Sequence, residues 1–196
     1  MKGSLVAIVT PMFANGEIDF NSLKKLFNFH EENGTNGIVL VGTTGESATL
    51  DKHERAKIFS FAREETNLPL MAGVGSSSTR DALELCEIAL KNGINNCLAV
   101  TPYYNKPSQK GLLLHFKELA KTSANIVLYN VPGRTGVDLD PLTTKELSSV
   151  SNITGIKEAV DSTKRFEILK NIKDENPDFL LYSGDDPTFV EFMKYG

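Results

Sequence analysis

Cysteine and histidine are scarce in this sequence. The two cysteines, Cys86 and Cys97, lie in apolar surroundings and form neither a CxxC motif nor a Cys/His spacing suited to a metal. We therefore expect reduced, buried thiols in a cytoplasmic protein, and no metal site. The three histidines, His30, His53 and His115, fall on predicted helices away from the strand ends, so none is a candidate for catalysis.

Net charge and long apolar runs are also limited. The formal net charge of −4 gives no electrostatic reason to expect nucleic acid or an anionic membrane as partner. No stretch approaches the roughly 18 apolar residues of a membrane-spanning helix. The first apolar run is broken by Thr10 and Pro11 and is too short for a signal peptide. We expect a cytoplasmic chain whose 196 residues form one domain, 1–196.

Short β-branched apolar runs recur along the whole chain. Their continuous apolar character, rather than an alternating pattern, indicates strands buried on both faces, as in parallel sheets. The starts of successive runs lie 26 to 33 residues apart. The predicted strands are Leu5–Thr10, Gly37–Leu40, Leu70–Val74, Cys97–Thr101, Ile126–Tyr129, Ile153–Lys157 and Phe179–Ser183.

The segments between these runs have the apolar spacing of amphipathic helices. Asn33-Gly34 is a helix stop signal, and Asp51 with Glu54 resembles a capping box at a helix start. The predicted helices are Asn21–Glu32, one beginning at Asp51, Thr79–Lys91, Ser108–Lys121, Thr143–Val150, Thr163–Asp174 and Pro187–Tyr195.

Seven strand–helix units in series predict an α/β fold with crossover connections. An open doubly wound sheet and a (β/α)8 TIM barrel both fit this pattern. The glycine-rich dinucleotide fingerprint is absent after the first strand, which disfavours the nucleotide-binding version of the open sheet. A closed barrel has eight units and about 250 residues, whereas this sequence ends during its seventh helix. We expect a barrel with about seven of its units present.

Lys157 is the most informative single residue. It ends an apolar predicted strand, and period-2 alternation places it on the face opposite Ile156 and Glu158. A lysine in a desolvated interior has a lowered pKa, and its neutral amine can attack a carbonyl. The alternative is a strand-end lysine that extends to solvent or pairs with Glu158.

Other reactive side chains follow the predicted strands, whose C-terminal ends converge on one face in α/β folds. Tyr129 closes the strand beside that of Lys157, where its phenol is suited to proton transfer, with Thr44 as a hydroxyl partner. The loop 42–45 offers backbone N–H groups and hydroxyls to a carboxylate, and Arg134 offers a guanidinium to a second one. Each has a purely structural alternative. Tyr129 would fill the end of the core, the loop 42–45 would be a plain turn, and Arg134 would be a solvated loop residue.

Six ordered motifs resemble the dihydrodipicolinate synthase (4-hydroxy-tetrahydrodipicolinate synthase) family, within the pyruvate-dependent aldolases. The resemblance runs from Gly3 to the last residue. Arg134 and the second tyrosine of TPYYN favour the synthase over the related sugar-acid lyases. The motifs are SLVAIVTPM, GIVLVGTTGESATL, TPYYNKPSQKGL, LYNVPGRTG, GIKEA and YSGDD.

The resemblance implies a role for each candidate residue. Lys157 would form an imine with pyruvate, and Thr43 and Thr44 would hold the pyruvate carboxylate. Tyr129, Thr44 and Tyr104 would relay protons to solvent. The second substrate would be L-aspartate 4-semialdehyde. Arg134 would bind its carboxylate, and Gly184 of YSGDD is a further candidate substrate-binding residue.

The resemblance also implies an assembly and the absence of a cofactor. In this family the residue matching Tyr104 reaches the neighbouring subunit's site, which implies a homodimer, usually within a homotetramer. The lysine itself is the electron sink, so neither a metal nor an organic cofactor is expected. Family members are about a hundred residues longer, with an eighth unit and a C-terminal helical segment.

Feedback by lysine is expected to be weak. The matching positions include Ser47, Ala48 and Tyr103, but Lys52 and Arg55 stand where lysine-sensitive members carry histidines. Two cations beside a cationic effector repel it. Two alternatives to the synthase remain open at this point: an aldolase for another 2-keto acid, and a shortened, non-catalytic chain that acts as a binding or regulatory partner.

Overall fold

The computed structural model describes residues 1–195 and contains seven β-strands. Each sequence-predicted strand is present, with ends that differ by one to three residues or not at all. The strands are β1 Leu5–Ala7, β2 Gly37–Leu40, β3 Leu70–Gly73, β4 Asn96–Val100, β5 Asn125–Asn130, β6 Ile153–Glu158 and β7 Leu180–Ser183.

Helices separate the strands throughout. The prediction for Thr79–Lys91 is confirmed at both ends, and Asp51 and Glu54 form the expected capping box. The α-helices are α1 Phe20–Glu32, α2 Lys52–Glu65, α3 Thr79–Lys91, α4 Gln109–Leu119, α5 Pro132–Thr135, α6 Pro141–Ser148, α7 Thr163–Glu175 and α8 Phe189–Phe192. A 3-10 turn, Met193–Tyr195, follows α8, so the predicted last helix is divided in two.

The chain forms two compact units. The first comprises residues 1–74 and 87–98, and the second comprises 75–86 and 99–196. In the first unit, β1, β2, β3 and the start of β4 pair in parallel in that order. All four residues of β2 and all four of β3 are buried, as the continuous apolar pattern predicted.

In the second unit, β5, β6 and β7 pair in parallel in chain order. Helices α4, α6 and α7 pack in succession along this part of the chain. Phe116 of α4 and Leu169 of α7 are fully buried, as are Leu128 of β5 and Ile156 of β6. The removal of this apolar surface from water is the main force that holds these elements together.

Two differences from the sequence-based prediction have identifiable reasons. Strand β1 ends at Ala7 instead of Thr10, and the Thr10 hydroxyl donates to the Gly45 carbonyl at 2.8 Å. The short helix α5 was not predicted. Pro132 occupies its first position, where a missing N–H costs nothing, and Gly136 ends it with a left-handed φ of 72°.

Candidate active site

Lys157 lies in the middle strand of the second unit, between two tyrosines. Its register partners are Tyr129 on β5 and Tyr182 on β7. Residues paired in register on parallel strands project from the same face of the sheet. Tyr129, Lys157 and Tyr182 therefore form a row across three strand ends, which we call the amine side.

The Lys157 side chain is half-buried, and its amine has no polar partner in the described chain. Its Nζ lies 4.7 Å from the centroid of the Tyr129 ring. Within residues 1–195, no hydrogen bond or ion pair of this amine is present. Burial lowers the pKa of Lys157, and the carboxylate of Asp186 raises it in part. A lowered pKa increases the fraction of neutral, nucleophilic amine near neutral pH.

Gly184 packs directly against the Lys157 side chain. A Cβ atom added at Gly184 would lie 2.9 Å from Cε and 3.1 Å from Cγ of Lys157. The same atom would lie 3.2 Å from the Ala159 Cβ. Glycine at this position therefore leaves the space through which the lysine side chain runs toward its amine.

Tyr182 is a site residue that the sequence reasoning missed. Burial raises the pKa of Tyr182 to about 12, so its phenol stays protonated at neutral pH. It can act as a hydrogen-bond donor or as an aromatic wall beside the lysine, but not as a resident base. Tyr182 faces Lys157 through the register of β7 against β6, which the sequence pattern does not give.

The next residue along each of β5 and β6 projects from the opposite face, which we call the carboxylate side. There the side chain of Glu158 is fully buried and accepts hydrogen bonds from the Asn130 amide at 2.9 Å and the Ala159 N–H at 3.0 Å. Arg165 of α7 donates to Glu158 at 3.2 Å and also pairs with Asp138. The alternative in which Lys157 pairs with Glu158 is therefore wrong, since the carboxylate is bound to Arg165.

The charge state of Glu158 reflects competing influences. Burial raises its pKa to about 7, whereas the Arg165 guanidinium and the Asn130 amide lower it in part. Asp138, the second carboxylate of the group, adds to the rise. Glu158 is thus a titratable group near neutral pH, one residue away from the candidate nucleophile.

The loop after β2, in the first unit, carries Thr43 and Thr44. Both threonines are exposed, while Gly45 is buried against the carbonyl of Ile8, which an added Cβ would approach to 3.0 Å. Val41 has a φ of 52°, a left-handed conformation that is strained for a β-branched residue. Such strain is concentrated at functional sites, which supports a ligand-binding role for this loop.

The loop after β4 carries Tyr104 on a strained backbone. Tyr104 has a φ of 74° and Lys106 a φ of 45°. The side chain of Tyr104 points outward, with the residue 93% exposed. Because so little of it packs within the chain, it is available to a second molecule.

Arg134 is exposed on α5, one turn beyond the end of β5. Within the described chain its guanidinium has no hydrogen-bonding or ion-pairing partner, which leaves it available to an anion. Thr135, the next residue, is buried and its hydroxyl donates to the Val137 carbonyl at 2.9 Å. The helix is thereby anchored while Arg134 projects from it.

The scarce residues lie where the sequence indicated. Both cysteines are buried, and neither forms a disulfide bond. His30, His53 and His115 lie on α1, α2 and α4. Among residues 1–195, no group of three or more His, Cys, Asp or Glu side chains is arranged to hold a metal ion. Nor does this part of the chain contain a helix with the length and apolar character needed to cross a membrane.

The predicted site residues therefore divide into three groups. The structure brings Lys157, Tyr129 and Gly184 together at the ends of β5, β6 and β7. It places Tyr104 and Arg134 at the surface of the same unit. Thr43 and Thr44 lie at a strand end of the other unit, and their convergence with Lys157 stays a prediction.

Comparison with known proteins identifies the family. The model of the dihydrodipicolinate synthetase family matches residues 1–196. A 4-hydroxy-tetrahydrodipicolinate synthase of Stutzerimonas stutzeri is 52% identical over 200 residues, and the match covers the whole chain and 68% of the relative. A synthase of the same name from Buchnera aphidicola is 49% identical and 67% covered.

Solved structures agree with this assignment. The 4-hydroxy-tetrahydrodipicolinate synthase of Methylacidiphilum fumariolicum matches with a TM-score of 0.95 and 41% identity, over 100% of this chain and 66% of its own. A dihydrodipicolinate synthase of Acinetobacter baumannii, complexed with pyruvate, matches with a TM-score of 0.92 and 46% identity, over 99% of this chain and 67% of its own. The chain thus spans about two thirds of the length of these relatives, and it belongs to the dihydrodipicolinate synthetase family.

Proposed function

We propose that this chain is a 4-hydroxy-tetrahydrodipicolinate synthase, which condenses pyruvate with L-aspartate 4-semialdehyde. The observation that carries the proposal is the half-buried Lys157 amine, which has no polar partner within residues 1–195 and lies 4.7 Å from the centre of the Tyr129 ring. The relatives of the same name, about half identical along the whole chain, support this reaction over other keto-acid aldolases.

The first half of the reaction requires a neutral amine and a proton donor. The Lys157 nitrogen attacks the keto carbon of pyruvate, and the carbonyl oxygen takes up a proton to give a carbinolamine. A second protonation expels this oxygen as water and leaves the imine. Tyr129 is the nearest candidate for these transfers, and in the proposed relay it exchanges protons with Thr44 and Tyr104.

The second half builds the new carbon–carbon bond. Loss of a proton from the pyruvate methyl group gives an enamine, whose carbon attacks the aldehyde of L-aspartate 4-semialdehyde. The aldehyde oxygen becomes a hydroxyl group. The substrate's own amine then attacks the imine carbon, which closes the ring and releases Lys157. The reaction needs no cofactor, because the protonated imine accepts the electron pair that the methyl carbon keeps when it loses its proton.

Substrate carboxylates would be bound at two places. Thr43 and Thr44, exposed on their strained loop, would hold the carboxylate of pyruvate. Arg134, exposed on α5, would bind that of the second substrate in a bidentate geometry. Gly184 would be a further substrate-binding residue, and its lack of a side chain leaves space for Lys157.

The finer architecture belongs to the same proposal. The seven parallel strands and their helices would be the first seven units of a (β/α)8 barrel that forms one domain. Tyr104, 93% exposed, would enter the site of a second copy in a homodimer or homotetramer. The protein would act in the cytoplasm.

Feedback by lysine is expected to be weak. The Arg55 guanidinium donates to the carbonyl groups of Ser47 and Leu50, which holds a buried positive charge beside the loop after β2. Lys52 adds a second cation at the start of α2. A lysine inhibition constant below about 1 mM, measured on the purified chain, would contradict this expectation.

Borohydride reduction in the presence of pyruvate tests the proposal. The expected product is a single covalent adduct, which peptide mass mapping assigns to Lys157. An adduct on another lysine, or none in a folded sample, would overturn the mechanism. Turnover with L-aspartate 4-semialdehyde, compared with other aldehydes at equal concentration, then separates the synthase from a related aldolase.

A further inference from the structure

We propose that Asn130, Glu158 and Arg165, which are buried, and the half-exposed Asp138 form a polar clamp that positions Lys157 beside Tyr129. The reaction that the clamp would assist is the one proposed above, so this part rests on the proposed function. The geometry itself depends only on contacts within the second unit. The four residues act as positioning residues, since none of them projects from the amine side.

The clamp joins four separate segments through the Glu158 carboxylate and the Arg165 guanidinium. Glu158 is bound by Asn130 at the end of β5, by the Ala159 N–H after β6, and by Arg165 of α7. Arg165 continues to the Leu139 carbonyl at 2.9 Å and to the carboxylate of Asp138, both in the segment after α5.

Asn130 connects Glu158 to Asp138 and Leu139. Its amide donates to Asp138 at 2.8 Å as well as to Glu158 at 2.9 Å. Its carbonyl oxygen accepts from the Leu139 N–H at 2.9 Å. Each polar atom of the Asn130 side chain is therefore used, and residue 130 is fully buried.

The clamp acts on Lys157 because it fixes the backbone on both sides of the strand end. The Ala159 N–H donates to the Asn130 carbonyl at 3.0 Å, and the Gly184 N–H donates to the Glu158 carbonyl at 2.7 Å. Lys157 and Tyr129 immediately precede Glu158 and Asn130 in register-paired strands. A shift of either clamp residue therefore moves the adjacent reactive side chain.

The use of charge, in place of apolar packing, supports a positioning role. Apolar side chains of similar volume often stabilise a buried site as well as an ion pair does. The Arg165 guanidinium, with three fixed acceptors, instead sets both the orientation and the distance of the groups that it binds. Precise placement is what a nucleophile requires, since a displacement of about 1 Å can lower a rate by about a hundredfold.

The test compares Glu158→Gln and Arg165→Lys with the wild-type chain. The glutamine side chain keeps an acceptor oxygen for Asn130 and Ala159 but loses the charge that orients Arg165. Lys170→Met is the matched control, because it removes an exposed ion pair from the same helix, that with Asp174. Each variant is first checked by circular dichroism and urea denaturation, and is then studied where it is fully folded.

Two readouts are measured on each folded variant. The first is the rate of borohydride-trapped imine formation as a function of pyruvate concentration. The second is reductive methylation of Lys157 by formaldehyde, relative to exposed Lys164 in the same sample. The second readout needs no pyruvate, so the clamp is tested even if the chain fails to react with that substrate.

We expect Glu158→Gln to lower the saturating imine rate by about tenfold or more, with a half-saturating pyruvate concentration within about threefold of wild type. Lys157 methylation should change by about threefold or more relative to Lys164. Arg165→Lys should give an intermediate rate, since an ammonium keeps the charge but not the fork geometry. Lys170→Met should match wild type in both readouts.

An unchanged saturating rate and unchanged methylation in folded Glu158→Gln would overturn the proposal and leave the clamp a purely structural feature. If Glu158→Gln does not fold, Asp138→Asn decides, because it removes one charge from a half-exposed position. It should lower the imine rate by about two- to fivefold, and wild-type behaviour would refute the clamp. Absence of a pyruvate adduct in the wild-type chain refutes the proposed function instead, and the methylation ratio then decides on the clamp.

Discussion

The two faces of β6 carry ionisable groups of opposite charge type, and these groups have opposite hydrogen-bonding environments. On the carboxylate side, Glu158 receives hydrogen bonds from two neutral donors and one guanidinium. On the amine side, Lys157 has no hydrogen bond within the described chain and faces the ring of Tyr129.

This difference separates a structural group from a reactive one. A buried charge that is fully bonded is held in place and has little to offer a ligand. A buried amine without a bonding partner is disfavoured in its charged form, so it is more available as a neutral nucleophile. Adjacent residues of one strand can therefore combine rigidity with reactivity, because the pleat directs them to different surroundings.

The largest expected effect comes from changing the amine itself. Lys157→Arg keeps a positive charge, but a guanidinium is not a nucleophile at neutral pH. We expect imine formation with pyruvate to fall by about a thousandfold or more, measured by borohydride trapping. Lys164→Arg, on the exposed face of α7, is the control and should react normally. A pyruvate adduct of normal yield in Lys157→Arg would show that Lys157 is not the reactive group on the amine side.

The second effect concerns the pH dependence of stability. The pKa of Glu158 is raised to about 7, above the usual value of 4.5, so its favourable contribution is present at low pH. That contribution is lost as pH rises through about 7. Relative to Glu158→Gln, the free energy of unfolding of the wild-type chain should fall by on the order of 3 kcal/mol between pH 4 and pH 8.

Urea denaturation of both proteins across this pH range measures the difference. The remaining titratable groups are shared, so their contributions cancel in the comparison. A relative gain in wild-type stability with rising pH would mean that the pairing with Arg165 outweighs burial. The carboxylate side would then be an ion pair throughout the neutral range.

The third effect concerns the space beside the lysine. Gly184→Ala would place a Cβ atom 2.9 Å from the Lys157 Cε, which forces the side chain to move. We expect imine formation to slow by about tenfold while the fold is kept. Gly133→Ala is the matched control, since its Cβ would meet nothing within 4 Å. Equal pyruvate-trapping rates in these two variants would show that the amine tolerates displacement.

The smallest effect concerns the one acidic neighbour that influences the amine. Asp186 raises the pKa of Lys157 against the lowering by burial. Asp186→Asn should therefore lower this pKa further and move the midpoint of Lys157 methylation to lower pH by a few tenths of a unit. Asp161→Asn, at another exposed carboxylate, should leave the midpoint in place. An unchanged midpoint in Asp186→Asn would show that Asp186 has no direct influence on the amine.

The sequence was sufficient to predict the elements that place the site. Buried parallel strands have continuous apolar runs, so β2 was predicted at both ends and Lys157 was recognised at a strand end. The capping box at Asp51 was also found, because its signal is local and lies within four residues. These features depend on neighbours in the sequence.

The carboxylate side could not be predicted in the same way. In the sequence, Arg165 looks like any other basic residue on the polar face of a predicted helix. Only the packing of α7 brings it to Glu158. Asp138 and Asn130 join the same group from a loop and a strand end. Tyr182 required knowledge of the register between β6 and β7, which one sequence does not contain.

The bonds of the Glu158 carboxylate have a consequence for how this region opens. Glu158 and its partners Asn130 and Arg165 join the ends of β5 and β6, the segment after α5, and α7. The release of any one of these segments therefore leaves the others with an unsatisfied buried group. In native-state hydrogen exchange, the amides of Leu139, Ala159 and Phe166 should therefore share one opening free energy and behave as a single cooperative foldon.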